Sequence, residues 1–174
     1  MVLGFYQSLL DTETDKVKFE QIYYKYRKMV KFIAREITED DALAEDAAQE
    51  TFIKITKYMS KFQEVESSRT KTLISLIAKC AAKDFMEKER RYQVISFEEL
   101  HSQRAPEKSD FTESELYEKI CTCPKMYSEP FLLRYYYNFS VGEIADILCV
   151  NVAGVRKRIE RARRYLAVNI KSKE

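Results

Sequence analysis

The chain has 174 residues, of which 33% are charged and 45% hydrophobic, with only three glycines and three prolines. So few turn formers exclude an all-β architecture and the collagen-like and low-complexity classes, while the length suits one medium domain or two small ones. Thirty basic residues against 28 acidic ones give a net charge of +2, so the distribution of charge matters more than its total.

From Asp15 to Ile37 apolar residues fall at Phe19, Ile22, Tyr23, Tyr26, Val30, Ile33 and Ile37, the three-and-four spacing of an amphipathic helix. Thr38 and the acids Glu39, Asp40 and Asp41 then open a second helix, expected to reach about Phe62, with Leu43, Ala47, Phe52, Ile55 and Met59 inside. Ser67-Ser68-Arg69-Thr70 reads as a polar break. A third helix follows to about Arg91, burying Leu73, Ile74, Ile77, Ala78, Ala81 and Phe85. These three make a compact bundle. Beyond Tyr92 the helical period disappears, and residues 92–120 hold seven acids (Glu98, Glu99, Glu107, Asp110, Glu113, Glu115, Glu118) against Arg104, Lys108 and Lys119. That composition marks a flexible acidic linker between two domains. Phe111 to Cys123 reads as a short helix ended by Pro124, and Ser128-Glu129-Pro130 as a fresh start, since proline is tolerated in a first helical turn.

The carboxy-terminal part is the more specific. Ser140-Val141-Gly142-Glu143 is a capping box, opening a helix that buries Ile144, Ala145 and Leu148. Cys149-Val150-Asn151 is a tight turn, and Asn151 caps a last helix with Val155, Ile159, Ala162 and Leu166 inward. Its other faces carry Arg156, Lys157, Arg158, Arg161, Arg163 and Arg164, with Glu160 as the acid among them. Short helix, tight turn and basic helix form a helix-turn-helix, whose second helix fits the major groove of DNA. Ala153, Gly154 and Lys157, near the start of that helix, are placed at base edges, and Arg156, Arg158, Arg161 and Arg164 at phosphates.

The amino-terminal part is polarised. Glu36 to Glu50 holds seven acids and no base, and within it Asp46, Gln49 and Glu50 share one helical side. Such a face suits a basic protein partner rather than DNA, and a surface carboxylate pair without a cleft does not make a catalytic dyad. The third helix is basic in its far half through Lys79, Lys83, Lys88, Arg90 and Arg91, with Tyr58, Phe62 and Arg69 nearby to meet unpaired bases.

Cys80, Cys121, Cys123, Cys149 and the single, distant His101 do not make a zinc set, which draws on four ligands at CxxC- or HxxxH-like spacings, so the thiols are expected to act as small hydrophobes. The opening MVLGFYQSLL lacks a basic n-region, and no stretch approaches the roughly 18 to 20 apolar residues that span a bilayer. A cytoplasmic, reduced protein without membrane insertion is expected.

Two motifs together resemble the extracytoplasmic-function (ECF) class of bacterial sigma factors. Ala44-Glu45-Asp46-Ala47-Ala48-Gln49-Glu50-Thr51-Phe52 is similar to the signature of sigma domain two. Leu133-Arg134-Tyr135-Tyr136, Ser140 to Leu148 and Val155 to Leu166 are similar to sigma domain four. The resemblance implies an all-α fold of two small helical domains: domain two over 1–92, a linker over 93–111 and domain four with its helix-turn-helix over 112–174. It implies an alternative sigma factor that binds bacterial core RNA polymerase and directs it to promoter DNA. Domain two takes the upstream-ten element and domain four the upstream-thirty-five element. By carry-over, Asp46, Gln49, Glu50 and Phe52 meet the polymerase. Ser67, Ser68, Arg69, Thr70 and Lys71 form a loop facing a flipped base, and Lys79, Lys83, Arg90 and Arg91 track the melted strand. In domain four the DNA-binding set is Asn151, Ala153, Gly154, Arg156, Lys157, Arg158, Arg161 and Arg164. An anti-sigma factor is implied as a further partner, the free protein as a monomer, and neither catalytic residue, metal nor cofactor is expected.

The sequence departs from the family pattern at Leu73-Ile74, Cys80 and Glu87 in the DNA-facing helix of domain two, which bears on melting and the upstream-ten contacts more than on polymerase binding. It also departs at Cys123 and Cys149 in domain four, which are tolerable; a divergent member with unusual promoter preference is implied. The runner-up function is a helix-turn-helix transcriptional regulator that binds DNA without entering the polymerase. A module with no DNA role is the third reading, and it predicts salt-insensitive complexes.

Overall fold

The Thr12 side chain accepts the Asp15 N–H at 3.1 Å and starts α2, Glu13–Thr38, with Glu13 and Asp15 against the positive end of the helix. The protein is described here by a computed structural model covering residues 2–93, 120 and 122–171. Apart from Gln93, the linker expected at 93–111 lies outside these residues, as does most of the helix expected over 111–123. The chain divides into two compact units, Met1–Glu107 and Lys108–Glu174. Among the described residues there are seven α-helices and no strand, which is the all-α class expected.

In the first unit, α2 buries Phe19, Ile22, Tyr26, Val30, Ala34 and Thr38 and ends where Glu39 turns left-handed at φ 55°. Asp40 accepts the Leu43 N–H at 2.8 Å and caps α3, Asp41–Lys57. Salt bridges Lys31–Glu45 (2.9 Å) and Arg35–Asp41 (3.3 Å) run along the seam of this antiparallel pair. The second helix ends earlier than expected, and a single 3-10 turn, Met59–Lys61, follows it. Ser67 then caps α4, Ser68–Gln93, by accepting the Thr70 N–H at 3.1 Å.

Tyr26 meets Val65, Met29 meets Ser75 and Ala34 joins Ala82, so α4 runs parallel to α2. The helices close over four alanines, Ala34, Ala44, Ala47 and Ala82, all without exposed surface. Methyl-sized side chains let helix axes approach at the short end of the usual 8–10 Å range.

The sequence reading did not foresee α1, Val2–Ser8. Its Tyr6 is 2% exposed and sits among Phe19, Tyr23 and Phe52, with ring centroids 5.5, 6.0 and 5.9 Å away. A tertiary contact, rather than local periodicity, holds so short a helix.

In the second unit Pro124 occupies the cap position of α5, Lys125–Tyr135, and its carbonyl accepts the Tyr127 and Ser128 N–H groups at 2.8 and 3.0 Å. The fresh start expected at Ser128 is therefore corrected: the helix begins at Lys125 and Pro130 lies inside it. Proline there forgoes one bond, to the carbonyl of Met126, a residue that is 50% exposed and so reached by water. The capping box opens α6, Val141–Leu148, with Glu143 N–H to Ser140 Oγ at 3.2 Å and Ser140 N–H to Glu143 Oε2 at 2.6 Å. Ile147 rather than Leu148 joins Ile144 and Ala145 inside. Cys149 closes α6 in the left-handed region at φ 52° and ψ 40°. Asn151 Oδ1 accepts the Gly154 N–H at 2.6 Å to begin α7, Val152–Lys171. Val155, Ile159, Ala162 and Leu166 face inward as expected, and Leu166 packs with Ile120 and Leu132.

Three measurements test this packing. Phe52→Ala is expected to cost about 3–5 kcal/mol in urea denaturation of the full chain, as for a large ring deleted from a closed core. The Tyr6 hydroxyl is pushed up to about 12 by burial, with Tyr23 and Glu45 adding to the shift. The folded chain thus keeps a proton that the unfolded chain releases near pH 10, so stability falls as pH rises from about 10 to 12. Tyr6→Phe should flatten the fall of Tm over that window, and equal slopes in the two proteins would count against the burial. Cys149→Gly, which removes the penalty on a side chain in the left-handed region, should raise the second unit's stability by about 1 kcal/mol.

Candidate docking and nucleic-acid faces

On α3 the buried arc is Ala44, Ala47, Ala48, Thr51, Phe52 and Ile55, which leaves Asp46 and Gln49 exposed on the opposite side and Glu50 half-buried beside them. Of the acids around them, Asp40 is the helix cap, and Asp41 and Glu45 are tied to Arg35 and Lys31. Glu45 raises the Lys31 ammonium above its usual value through their hydrogen bond. Asp46 and Gln49 are thus the pair presented outward.

Phe52 is corrected. It is 3% exposed and its ring lies 4.9 Å from that of Tyr23, so it fixes α3 against α2 and offers no surface to a partner.

On α4 the buried arc is Leu73, Ile74, Ile77, Ala78, Ala81 and Ala82. Lys79, Lys83 and Arg90, spaced by four and seven, share the opposite face, where Lys83 and Arg90 are exposed and Lys79 is half-buried. Glu87 interrupts this basic stripe. Arg91 belongs to the same helix, but its side chain is outside the described residues.

The loop expected at Ser67 to Lys71 is instead the first turn of α4 with its cap. Thr70 is 2% exposed and its hydroxyl donates to the Glu64 carbonyl at 2.6 Å, as Ser67 does at 2.9 Å, so Thr70 is a brace rather than a contact. Ser68 and Lys71 are exposed and Arg69 is half-buried. The true connection, 62–67, is pinned to α2 by Tyr26, which donates to the Val65 carbonyl at 2.7 Å, and by the Lys25–Glu66 ion pair. No local signal pointed to Tyr26 or Lys25, because their partners lie about forty positions away in the chain.

On α7, Ala153, Lys157 and Arg164 fall within about 40° of one another on the face opposite the buried stripe. Asn151 and Ala153 are exposed, while Asn151 Oδ1 is already engaged as the cap. Gly154 is half-buried, and a Cβ added there would meet Asn151 Oδ1 at 3.1 Å. Arg156 and Lys157 are exposed and Arg158 half-buried.

The later arginines have partners that the sequence did not reveal. Arg164 pairs with Glu160. Arg161 Nη1 donates to the Tyr127 hydroxyl at 3.3 Å and its guanidinium lies 5.8 Å from that ring centroid. Arg163 donates to the Tyr135 hydroxyl and lies 5.4 Å from that ring.

Neither face resembles a reaction centre. Among the described residues no group of three or more His, Cys, Asp or Glu side chains could hold a metal ion, and no helix is long and apolar enough to cross a membrane. Cys123 is buried, and burial pushes its thiol above the usual value; Cys121 is outside the described residues.

Comparison with known proteins joins the two units into one system. Residues 22–92 match the Sigma-70 region 2 family and residues 114–166 match Sigma-70, region 4. RNA polymerase sigma factor SigV of Bacillus subtilis (strain 168) is 26% identical over 133 residues, covering 76% of this chain and 77% of SigV. Two solved structures are also similar to the chain. One is the sigma factor RpoE in complex with the anti-sigma factor NepR from Bartonella quintana, at 17% identity and TM-score 0.36, covering 90% of this chain and 98% of that one. The other is CnrH in complex with the cytosolic domain of CnrY, at 15% identity and TM-score 0.40, covering 99% and 97%. With regions 2 and 4 in this order, one presenting Asp46 and Gln49 outward and the other a basic helix-turn-helix, the chain belongs to the sigma-70 family as an ECF-type alternative sigma factor that directs core RNA polymerase to promoters.

Proposed function

We propose that Asp46 and Gln49, with Glu50 at their edge, form the dock for core RNA polymerase. The observation that carries this assignment is the segregation of charge in the first unit, where α3 presents the Asp46 carboxylate beside the neutral Gln49 and α4 a basic stripe. Like-charged phosphates are repelled by the α3 face and drawn to the α4 face, whereas a basic protein surface prefers the reverse. Lys79, Lys83 and Arg90, together with Ser68, Arg69, Lys71 and the braced 62–67 connection, then take the upstream-ten DNA.

The first turns of α7 read the upstream-thirty-five element: Ala153 and Lys157 at base edges, Arg156 and Arg158 at phosphates. Asn151 and Gly154 act by shaping the helix start. The domain limits that follow are 1–92 and 112–174, joined over 93–111.

The polymerase supplies the chemistry, so the sigma chain is a positioning factor rather than an enzyme. It works in the cytoplasm as a monomer when free, and an anti-sigma factor that covers the α3 dock would hold it inactive. A regulator acting without polymerase is disfavoured, because it leaves a whole region 2 fold without employment.

The test is size-exclusion coelution with bacterial core RNA polymerase. Wild type is expected to travel with the core. Asp46→Arg with Gln49→Arg should weaken the complex by roughly tenfold or more, about 1.4 kcal/mol, with Tm unchanged because both positions are exposed. Lys79→Glu with Lys83→Glu should leave coelution intact and abolish promoter-specific transcription. An Asp46→Arg, Gln49→Arg variant that coelutes like wild type would remove the dock from this face.

A further inference from the structure

Arg161 and Arg163 of α7 each lie on a tyrosine of α5, and neither has a carboxylate partner among the described residues. We infer that Tyr127 with Arg161, and Tyr135 with Arg163, are two backbone clamps that hold phosphodiester groups of promoter DNA on either side of α7. The inference rests on the reading of α7 as the DNA-reading helix, and it adds α5 and Arg163 to that contact.

The first argument concerns protons. A tyrosine hydroxyl has one proton to donate and lone pairs that accept. In each pair the arginine donates into the hydroxyl oxygen, so the hydroxyl's own proton is directed elsewhere. No described acceptor takes it: neither tyrosine donates to a carbonyl or carboxylate. By contrast, Tyr26 donates to the Val65 carbonyl and Tyr165 to the Thr122 carbonyl. Tyr135 is 45% exposed, Tyr127 is half-buried, and both arginines are exposed.

Charge supplies the second argument. A guanidinium offers five N–H donors, and one goes to the tyrosine in each pair. The aromatic face orients the cation without neutralising it. Arg164, two turns from Lys157, is different: its charge is met by Glu160. An anion with several acceptor oxygens is what both tyrosine pairs lack, and on a DNA-reading helix that anion is a phosphate.

Placement is the third. Positions 161 and 163 are about 160° apart around the helix, so the two pairs lie on opposite flanks of α7 with Ala153, Lys157 and Arg164 between them. Tyr127 and Tyr135 are eight positions apart on α5, roughly 12 Å along its axis. The major groove is also about 12 Å wide, so a helix seated in it brings one clamp to each rim.

The experiment measures binding of the full chain to a labelled random-sequence duplex across a salt series, with Tm recorded for every variant. Tyr127→Phe and Tyr135→Phe keep the ring on which the guanidinium lies and remove the hydroxyl, together with the arginine's hydrogen bond to it. Each should weaken binding about three- to tenfold with Tm unchanged, as expected for one lost charge-assisted hydrogen bond. Arg161→Gln and Arg163→Gln should each lower the slope of log K against log salt by about 0.9, the release of one counterion. Arg156→Gln with Lys157→Gln is the reference pair. If that pair lowers the slope while all four flank variants bind as wild type, the tyrosine–arginine pairs only fasten α5 to α7 and the inference is overturned. If the reference pair also changes nothing, the DNA reading of α7 fails and the clamps fail with it.

Discussion

Four methyl groups set the geometry on which the first unit depends. Ala34, Ala44, Ala47 and Ala82 meet without exposed surface, so α2, α3 and α4 close on one another with these small faces inward. In that setting the apolar arc of α3 faces inward and leaves Asp46 and Gln49 outward. The arc of α4 likewise leaves Lys79, Lys83 and Arg90 outward. A shift of one residue in either helix turns its surface by about 100°, burying charge and exposing the core. Core packing and the separation of the proposed docking face from the proposed DNA face are therefore one constraint. The ion pairs along the α2–α3 seam refine it without setting it, because exposed pairs of this kind contribute at most about 1 kcal/mol.

The second unit solves a different problem, the angle between two short helices. Here the caps do the work. Ser140 and Glu143 satisfy each other's backbone, Cys149 accepts a left-handed conformation to turn the chain, and Asn151 starts α7 three residues before Gly154. The cost at Cys149 is about 1–2 kcal/mol where glycine would have cost little. It is offset by a turn that leaves both Val155 and Ile147 buried.

These two strategies explain what the sequence disclosed. The helices that bury long stripes, α2, α4 and α7, were readable from three-and-four spacing, and α6 from its capping box. The acidic and basic faces followed from the same wheels. What stayed hidden depends on contacts between distant residues. Helix α1 is held by Tyr6 against three rings from α2 and α3, and its own seven residues carry no period. Phe52 sits in the motif that marks the docking helix, yet a motif mixes residues kept for packing with residues kept for contact, and only burial separates them. Ser67 and Thr70 looked like loop residues because hydroxyls suit loops and helix starts equally. Pro130 misplaced a helix start, since proline in a second turn is costly in general but tolerable where the carbonyl it deprives is near water.

The company kept by the arginines is the least readable feature and bears most directly on function. A chain with a net charge of +2 cannot attract DNA by its total, so it must concentrate positive potential locally. Pairing arginines with carboxylates would order them but cancel the field, as Glu160 does for Arg164. Leaving them free would keep the field at the expense of fixing several rotatable bonds whenever a phosphate is bound. Tyrosine avoids both losses, because its ring and hydroxyl hold the guanidinium in place while carrying no charge of their own. Arg161 and Arg163 are thus held in place with no carboxylate among the described residues to cancel their charge, which is the combination the proposed clamps require.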